Sequence, residues 1–483
     1  MNDTWLLTTF FIAIALILLI SLLAFFKVKD TTSFFIAERN APWYLIVGSL
    51  MASTISGAAF LGMIASFYNQ GVSVFWILIG CSAGLFIMCF FIGPKLRRYG
   101  KFTIPEYLAD RFHSPLLKPT FSVIICIWMV ILLGTLYVQG GLLLESMFGL
   151  DYRLAVLIIG SLTIIITIFG GMVSVLNSDF FGMFILIIAA IVAFPFIMEA
   201  AGGWENITTT IKTDSPEYFT NTSNIGITAS LSFFLIWSLG YIGHPGFLTR
   251  FFAAKNVREI IKAGVGISVI YLPFWIFIFI VAASARVLYP NIVDPETIWI
   301  AALYDFAPPV IAGMGLAGIF IGILTSVNTW LLTAATSLIR DVYIQVINPK
   351  ANEKNVLNLS RIMILSLGII AIPIGISRPA SIIEMMNIAY AIAASAGGIV
   401  LIMSMYYRNM TKQAAWSGIV SGAIIAIFWR TGQLLNFLPD TIDPIIPTAM
   451  ISLILIIIVS KLTKPSENSL DMYDRLNDKK LNY

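Results

Sequence analysis

The 483-residue sequence predicts an all-α polytopic membrane protein of about 13 transmembrane helices, arranged around two inverted five-helix repeats. Three observations predict it. Hydrophobic residues make up 59% of the chain and charged residues only 11%, against about 25% charged in soluble domains. Apolar runs of about 20 residues recur along the whole length. Two of those runs, five apart, are interrupted by small and polar residues, a pattern that marks inverted-repeat transporters. Mean hydropathy of +0.91 excludes a soluble globular domain.

The candidate spans are 5–26, 44–68, 73–93, 120–147, 154–171, 175–198, 227–247, 263–286, 307–336, 359–377, 382–406, 413–429 and 444–462. The first follows an acidic start and lacks a cleavage signature, so it reads as a retained helix. With the N-terminus outside and the C-terminus inside, only Arg153, Lys212, Arg286, Arg378 and Arg430 of the 29 Lys and Arg lie outside, as the positive-inside rule expects. The basic loop 94–119 is explained by that topology alone. The expected organisation is an extra helix and inner loop (1–43), a first repeat (44–198), an external segment (199–226), a second repeat (227–406), two further helices (407–462) and a mobile tail (463–483). Cys81, Cys89 and Cys126 all lie in apolar spans and read as small buried hydrophobes.

Span two carries Ser53, Thr54, Ser56 and Gly57 in a row. Backbone opened at mid-membrane survives only where it is packed in protein or lines a cavity. Span seven carries Gly240, Gly243, His244, Pro245 and Gly246, which break a helix in any solvent. The two breaks run in opposite directions.

In span nine, Thr325, Asn328, Thr329, Thr333 and Thr336 share one helical face. Such a stripe either glues helices together or, with the carbonyls of Ala52 and Ile55, offers hard oxygen ligands to an alkali cation. Asp179 opens span six and is a functional candidate because charge at membrane depth is costly; the alternative is an interfacial carboxylate. His244 is either structural or a contact to proton or solute. Glu145 and Glu384 read as interfacial. No nucleophile–base pair or metal-ligand cluster lies in the spans, so no enzyme is expected. No nucleic-acid partner is expected either.

Together these residues resemble the sodium/solute symporter family, especially its sodium/proline and sodium/pantothenate branch. The matching pieces are the ASTISG run from Ala52 to Gly57, the PEYLADR loop from Pro105 to Arg111, LESMFG from Leu144 to Gly149, and Gly170–Gly171 with Asp179. They continue with GYIGHP from Gly240 to Pro245 and Thr325–Ser326 followed by the RDVY run from Arg340 to Tyr343. The resemblance implies a leucine-transporter-like fold in the cell membrane and sodium-driven import of a small organic solute. It implies one sodium at Ala52, Ile55, Gly322, Thr325 and Ser326, and in some members a second at Asp179, Thr325, Asn328 and Thr329. Substrate contacts are expected at Ser53, Thr54, Ser56, Gly57, Ala58, Tyr137, Gln139, Trp237, Tyr241, His244 and Pro245. Thr54, Ala58 and Leu132 depart from the aspartate, tryptophan and tyrosine of the proline carriers. The span-four arginine of the sialic-acid carriers is absent. The expected solute is therefore a small amino acid such as proline, pantothenate or another small carboxylate. The rival expectations are a proton-coupled permease using Asp179 or His244, and a channel or solute sensor.

Overall fold

The computed structural model of the chain describes residues 3–25, 39–101, 103–220, 225–439 and 442–477. Those residues are helical throughout, apart from short connections and one bridge between Ala41 and Ala254. Among the described residues, ten helices are long and apolar enough to cross a membrane. Three shorter apolar helices, Thr4–Leu16, Trp43–Thr54 and Tyr152–Ile168, accompany them.

Helix α1 (Asp3–Phe25) is followed by α2 (Trp43–Thr54). After the break at 55–57, a π-helical turn (Ala58–Met63) leads into α3 (Ile64–Gln70). Next come α4 (Phe75–Ile87) and, through a second π turn, α5 (Gly93–Tyr99), stopped by Gly100 in the left-handed region. Thr103 caps α6 (Ile104–Arg111) by accepting the Glu106 N–H at 3.2 Å. Helix α7 (Leu117–Phe148) ends at Gly149, φ +63°.

Between 171 and 175 the sequence predicts a short non-helical link. The backbone instead stays helical through α8 (Tyr152–Ala200), capped by Asp151. At 1.5 Å per residue, such a helix would be about 74 Å long if straight, more than twice a hydrocarbon core of about 30 Å. Each half runs antiparallel to a different neighbour, the first to the helix that ends at Ser377 and the second to the helix that ends at Thr336. Val156 and Ile164 face Gly375 and Gly368, whereas Gly182 and Leu186 face Ile321 and Gly318.

Within the segment expected to be external, 199–226, the chain folds as α9 (Gly203–Asp214) and a 3-10 turn that buries Tyr218. Then follow α10 (Gly226–Gly243), α11 (Pro245–Ala253), α12 (Val257–Leu288) and α13 (Ile298–Phe306). Helix α14 (Pro309–Thr336) starts on Pro308–Pro309, is buried along nearly its whole length and continues as π helix to Ile347. Helix α15 (Glu353–Ser377) precedes α16 (Ile382–Ile392), which opens with a Ser381–Glu384 capping box. A π segment at 393–398 joins α16 to α17 (Ile399–Tyr406). Two peripheral helices close the bundle, α18 (Lys412–Leu434) and α19 (Ile445–Leu462).

Small residues let these helices touch backbone to backbone. A Cβ at Gly243 would run into the Ala393 carbonyl, and one at Gly84 would meet the Ser238 carbonyl at 2.8 Å. The three cysteines are buried and unpaired.

The tail departs from expectation. Residues Glu467–Asn477 form α20, docked on α5 and α6. Arg111, fully buried, donates to the Ser469 carbonyl at 2.6 Å, to the Ser469 hydroxyl, and to the carbonyls of Ser404 (3.1 Å) and Arg408 (3.3 Å). Lys95 donates to Asn477 at 2.6 Å. A polar, charge-mixed segment stays folded here because a buried guanidinium needs its carbonyls. Arg111→Ala is expected to release α20, so limited proteolysis should cut between Leu462 and Asn477 several-fold faster than in wild type; an unchanged cleavage rate would refute the clamp.

Candidate functional site

The site is built where the two breaks meet. At the first, the Ile55 N–H reaches the Met51 carbonyl at 2.6 Å and the backbone then turns, with Ile55 at φ −105°, ψ 57°. Bonding resumes with the Ala59 N–H on the Ser56 carbonyl at 3.0 Å. The carbonyls from Ala52 to Ile55 are thereby left outside the regular i to i+4 ladder. Gly57 is wedged between α7 and α14: a Cβ there would stand 2.7 Å from the Gln139 amide oxygen and 2.9 Å from Ile323. Gly322 faces the same break, its missing Cβ 3.4 Å from Ser56 Cα.

One turn further along α14 lie Thr325 and Ser326. The Thr325 hydroxyl donates to the Gly322 carbonyl at 3.3 Å, and the Ser326 hydroxyl is fully buried with no partner among the described residues. Of the remaining stripe, Asn328 accepts from Thr167 at 2.5 Å, while Thr333 and Thr336 donate to backbone carbonyls of their own helix.

Beside this face stands a group that the sequence reading placed among the inner-loop cations. Arg250, on α11, and Asp179, on α8, are both wholly buried and form an ion pair at 3.3 Å. The guanidinium also donates to the Ser49 hydroxyl (2.9 Å), the Ser53 hydroxyl (2.6 Å), Thr329 (3.3 Å), the Ser49 carbonyl (3.3 Å) and the Gly246 carbonyl. Ser49 in turn donates to Asp179 Oδ2, and Oδ1 has no partner among the described residues. Asp179 is thus enclosed by protein rather than exposed at a surface. The one sequence signal for Arg250 was its place in an apolar FLTRFFA run restarted by Pro245.

At the second break His244 adopts φ −80°, ψ 106°, and Pro245 begins α11. The imidazole stacks on Phe247 with ring centroids 4.4 Å apart, and neither nitrogen has a partner among the described residues. Between the breaks lies a cavity of about 10 Å³, room for about one water. Ser53, Thr54, Ser56, Ala58, Trp237 and Tyr241 line it, joined by Ala59, Met63, Trp275, Ile383 and Met386, which the sequence reading did not single out. Gly57, Tyr137, Gln139, His244 and Pro245 lie outside that lining. Gln139 is nevertheless buried beside Gly57 with both amide atoms unpartnered, and Tyr137 packs against α15. No lining side chain is charged.

Above the cavity opens a vestibule of about 910 Å³, which shares Ile383 with it. Asn387 on the vestibule wall accepts from Trp237 Nε1 at 2.7 Å. At the rim, Glu296 accepts from Arg378 (2.7 Å) and from the Ile382 N–H (2.6 Å); burial nevertheless pushes its carboxyl above the usual range.

The profile of the sodium:solute symporter family matches residues 34–422. The sodium/proline symporter of Staphylococcus aureus is 29% identical over 484 residues, covering 94% of this chain and 93% of that protein. The high-affinity proline transporter PutP of Bacillus subtilis is 27% identical over 482 residues, covering 95% and 99%. Among solved structures, a substrate-bound, outward-open Na+-coupled sialic acid symporter superposes with a TM-score of 0.80 at 18% identity, covering 96% and 99%. Mhp1, a nucleobase-cation-symport-1 family transporter, superposes at 0.61 with 13% identity, covering 91% and 98%. At those identities the two structures speak for the leucine-transporter-like fold alone.

Removing one partner of a buried pair typically costs about 3–5 kcal/mol, because the other charge stays buried. Arg250→Ala should therefore lower the melting temperature in detergent markedly, and Arg250→Gln combined with Asp179→Asn should lose less than the sum of the single variants. Strict additivity would show that the two groups do not interact.

Proposed function

We propose that this chain, which belongs to the sodium:solute symporter family, imports a small zwitterionic amino acid of about the size of proline, coupled to sodium, by alternating access. It is a multi-pass plasma-membrane protein and sodium is its coupling ion. We place thirteen helices across the bilayer with the N-terminus outside, so that the vestibule faces outward and α20 lies on the cytoplasmic face. We propose no covalent chemistry.

The observation that carries the reading is the meeting of both broken helices at one closed cavity, beside the buried and unpartnered Ser326 hydroxyl. The carbonyls of Ala52, Ile55 and Gly322 and the hydroxyls of Thr325 and Ser326 supply the neutral oxygens that a dehydrated alkali cation requires. Sodium there would tie α2 to α14. The solute chamber follows from its lining: Trp237, Tyr241 and Trp275 enclose an apolar body. No charged side chain receives the carboxylate, so backbone N–H groups freed at the breaks must do so. That lining favours a compact zwitterion over a larger sugar acid, and the proline-transporting relatives support the choice. The Arg250–Asp179 pair lies below the chamber, joining α2, α8, α11 and α14. It must part, or move as a unit, before the cytoplasmic side can open.

In proteoliposomes an inward sodium gradient is expected to drive uptake of labelled proline, and a proton gradient alone is not. Sodium-independent uptake would sink the proposal. Ser326→Ala should raise the half-saturating sodium concentration roughly tenfold, the equivalent of about 1.4 kcal/mol of ion binding, with a smaller effect on proline affinity at saturating sodium. Unaltered sodium dependence would remove Ser326 from the site.

A further inference from the structure

On the face that the proposed topology makes cytoplasmic, a cleft of about 1090 Å³ lies between the start of α2, the end of α5 and the first turns of α12. One wall is apolar: Trp43, Ile261 and Val265 are 38%, 41% and 54% exposed. Further along α12, Val269, Leu272 and Ile276 are exposed too, so this wall continues onto the lipid-facing side of the bundle. The other lining is basic, with Arg97, Arg98, Lys255, Arg258 and Lys262.

Among the described residues, the exposed cations Lys255 and Arg258 have no carboxylate of their own. Glu259 is the neighbouring carboxylate, and it is already committed to the Trp43 N–H at 2.9 Å and to Lys262 at 3.0 Å. Arg97 is held in place by the carbonyls of Ala254 (2.6 Å) and Lys255 (3.0 Å). The side chains of Lys255 and Arg258 make no hydrogen bond or ion pair among the described residues, and both are exposed. Cations gathered beside an apolar, membrane-level wall repel one another unless an anion joins them, and the anions of that layer are phospholipid headgroups. A tryptophan at the rim sits where interfacial aromatics settle.

The geometry points to a binding site for one anionic phospholipid. Its phosphate lies against Lys255 and Arg258, and an acyl chain runs along Trp43, Ile261 and Val265. The cleft spans the joint between α2 and α12: the Ala41 N–H reaches the Ala253 carbonyl at 3.0 Å, and the Lys255 N–H reaches the Ala41 carbonyl at 2.9 Å. Because α2 is the inner half of the first broken helix, a lipid seated there braces the element that inward opening has to move. The side of the membrane, though not the site, rests on the topology proposed above.

The test uses the full chain in a neutral detergent, titrated with phosphatidylglycerol, phosphatidylcholine or soluble glycerol 3-phosphate while thermal unfolding is followed. A ligand that binds only the folded state raises its apparent stability, and phosphatidylglycerol alone is expected to raise the midpoint, by about 3 °C. The Lys255→Ala/Arg258→Ala variant changes exposed side chains, so it should fold normally and lose at least half of that shift. In phosphatidylcholine liposomes the variant should transport like wild type, but it should lose the change in rate that added phosphatidylglycerol produces in wild type. An equal response to phosphatidylcholine, a full response in the variant, or a response to glycerol 3-phosphate as large as that to the lipid would each overturn the site. Separately, Arg258→Cys in intact cells should resist an impermeant maleimide. Labelling from outside would overturn the topology and leave the lipid binding measured in detergent standing.

Discussion

The guanidinium of Arg250 holds four pieces of the bundle on one ion. Its donors reach α2 through Ser49 and Ser53, α8 through Asp179, its own α11 through the Gly246 carbonyl, and α14 through Thr329. Stripping a guanidinium and a carboxylate of water costs several kcal/mol each, and only dense hydrogen bonding recovers it. That requirement explains why two serines one turn apart face inward on α2 and why α11 restarts so soon after the second break. A helix carrying Arg250 could not simply continue α10: the bend at His244 and Pro245 turns the guanidinium toward Asp179. The second break thus separates α10, whose Trp237 and Tyr241 line the small cavity, from α11, whose Arg250 ties the bundle together.

Around this tie the helices close on small residues. Gly57 and Gly322 bring α14 against the first break, and Gly243 brings the second break against the 393–398 π segment. A methyl group at Gly57 or Gly243 would displace a neighbouring side chain or backbone, whereas one at Gly322 would make ordinary contact with Ser56. Four buried side chains flanking them, Gln139, Asp179, His244 and Ser326, keep polar atoms without partners among the described residues. Each such atom costs about 1–3 kcal/mol when it is left unmet.

Much of this was legible in the chain itself. Apolar runs identified the helices within a few residues, because hydrocarbon admits no other pattern for spanning segments. Gly, Pro and clustered hydroxyls identified both breaks. What escaped were features that depend on a partner distant in sequence. Arg250 read as one more cation obeying the positive-inside rule, since nothing local shows that Asp179 waits 71 residues away. The 463–483 tail read as mobile on composition, whereas Arg111, more than 350 residues upstream of Ser469, holds part of it in a helix. The stretch between the predicted spans 154–171 and 175–198 read as a link because hydropathy dips there, yet the backbone stays helical through it. Trp275 and Met386 stood out in no sequence pattern and became recognisable only as walls of the small cavity.

Charge counting connects these features to symport. The Arg250–Asp179 cluster is neutral as it stands, so another cation placed on Asp179 Oδ1 would leave a net positive charge in a dehydrated interior. The shell proposed around Ala52, Ile55, Gly322, Thr325 and Ser326 contains no carboxylate. A sodium ion there would be dehydrated by neutral oxygens without a counter-charge, which is unfavourable in a low-dielectric site. In the proposed function the missing negative charge has one natural source, the carboxylate of the proposed solute, which would be held a short distance away at the same break. Each ligand then lowers the electrostatic cost of the other, and by linkage the effect is reciprocal. On this reading, tight coupling requires no aspartate at position 54: Thr54 returns its hydroxyl to the Leu50 and Met51 carbonyls at 3.1 Å, and the transported solute supplies the charge that the protein leaves out.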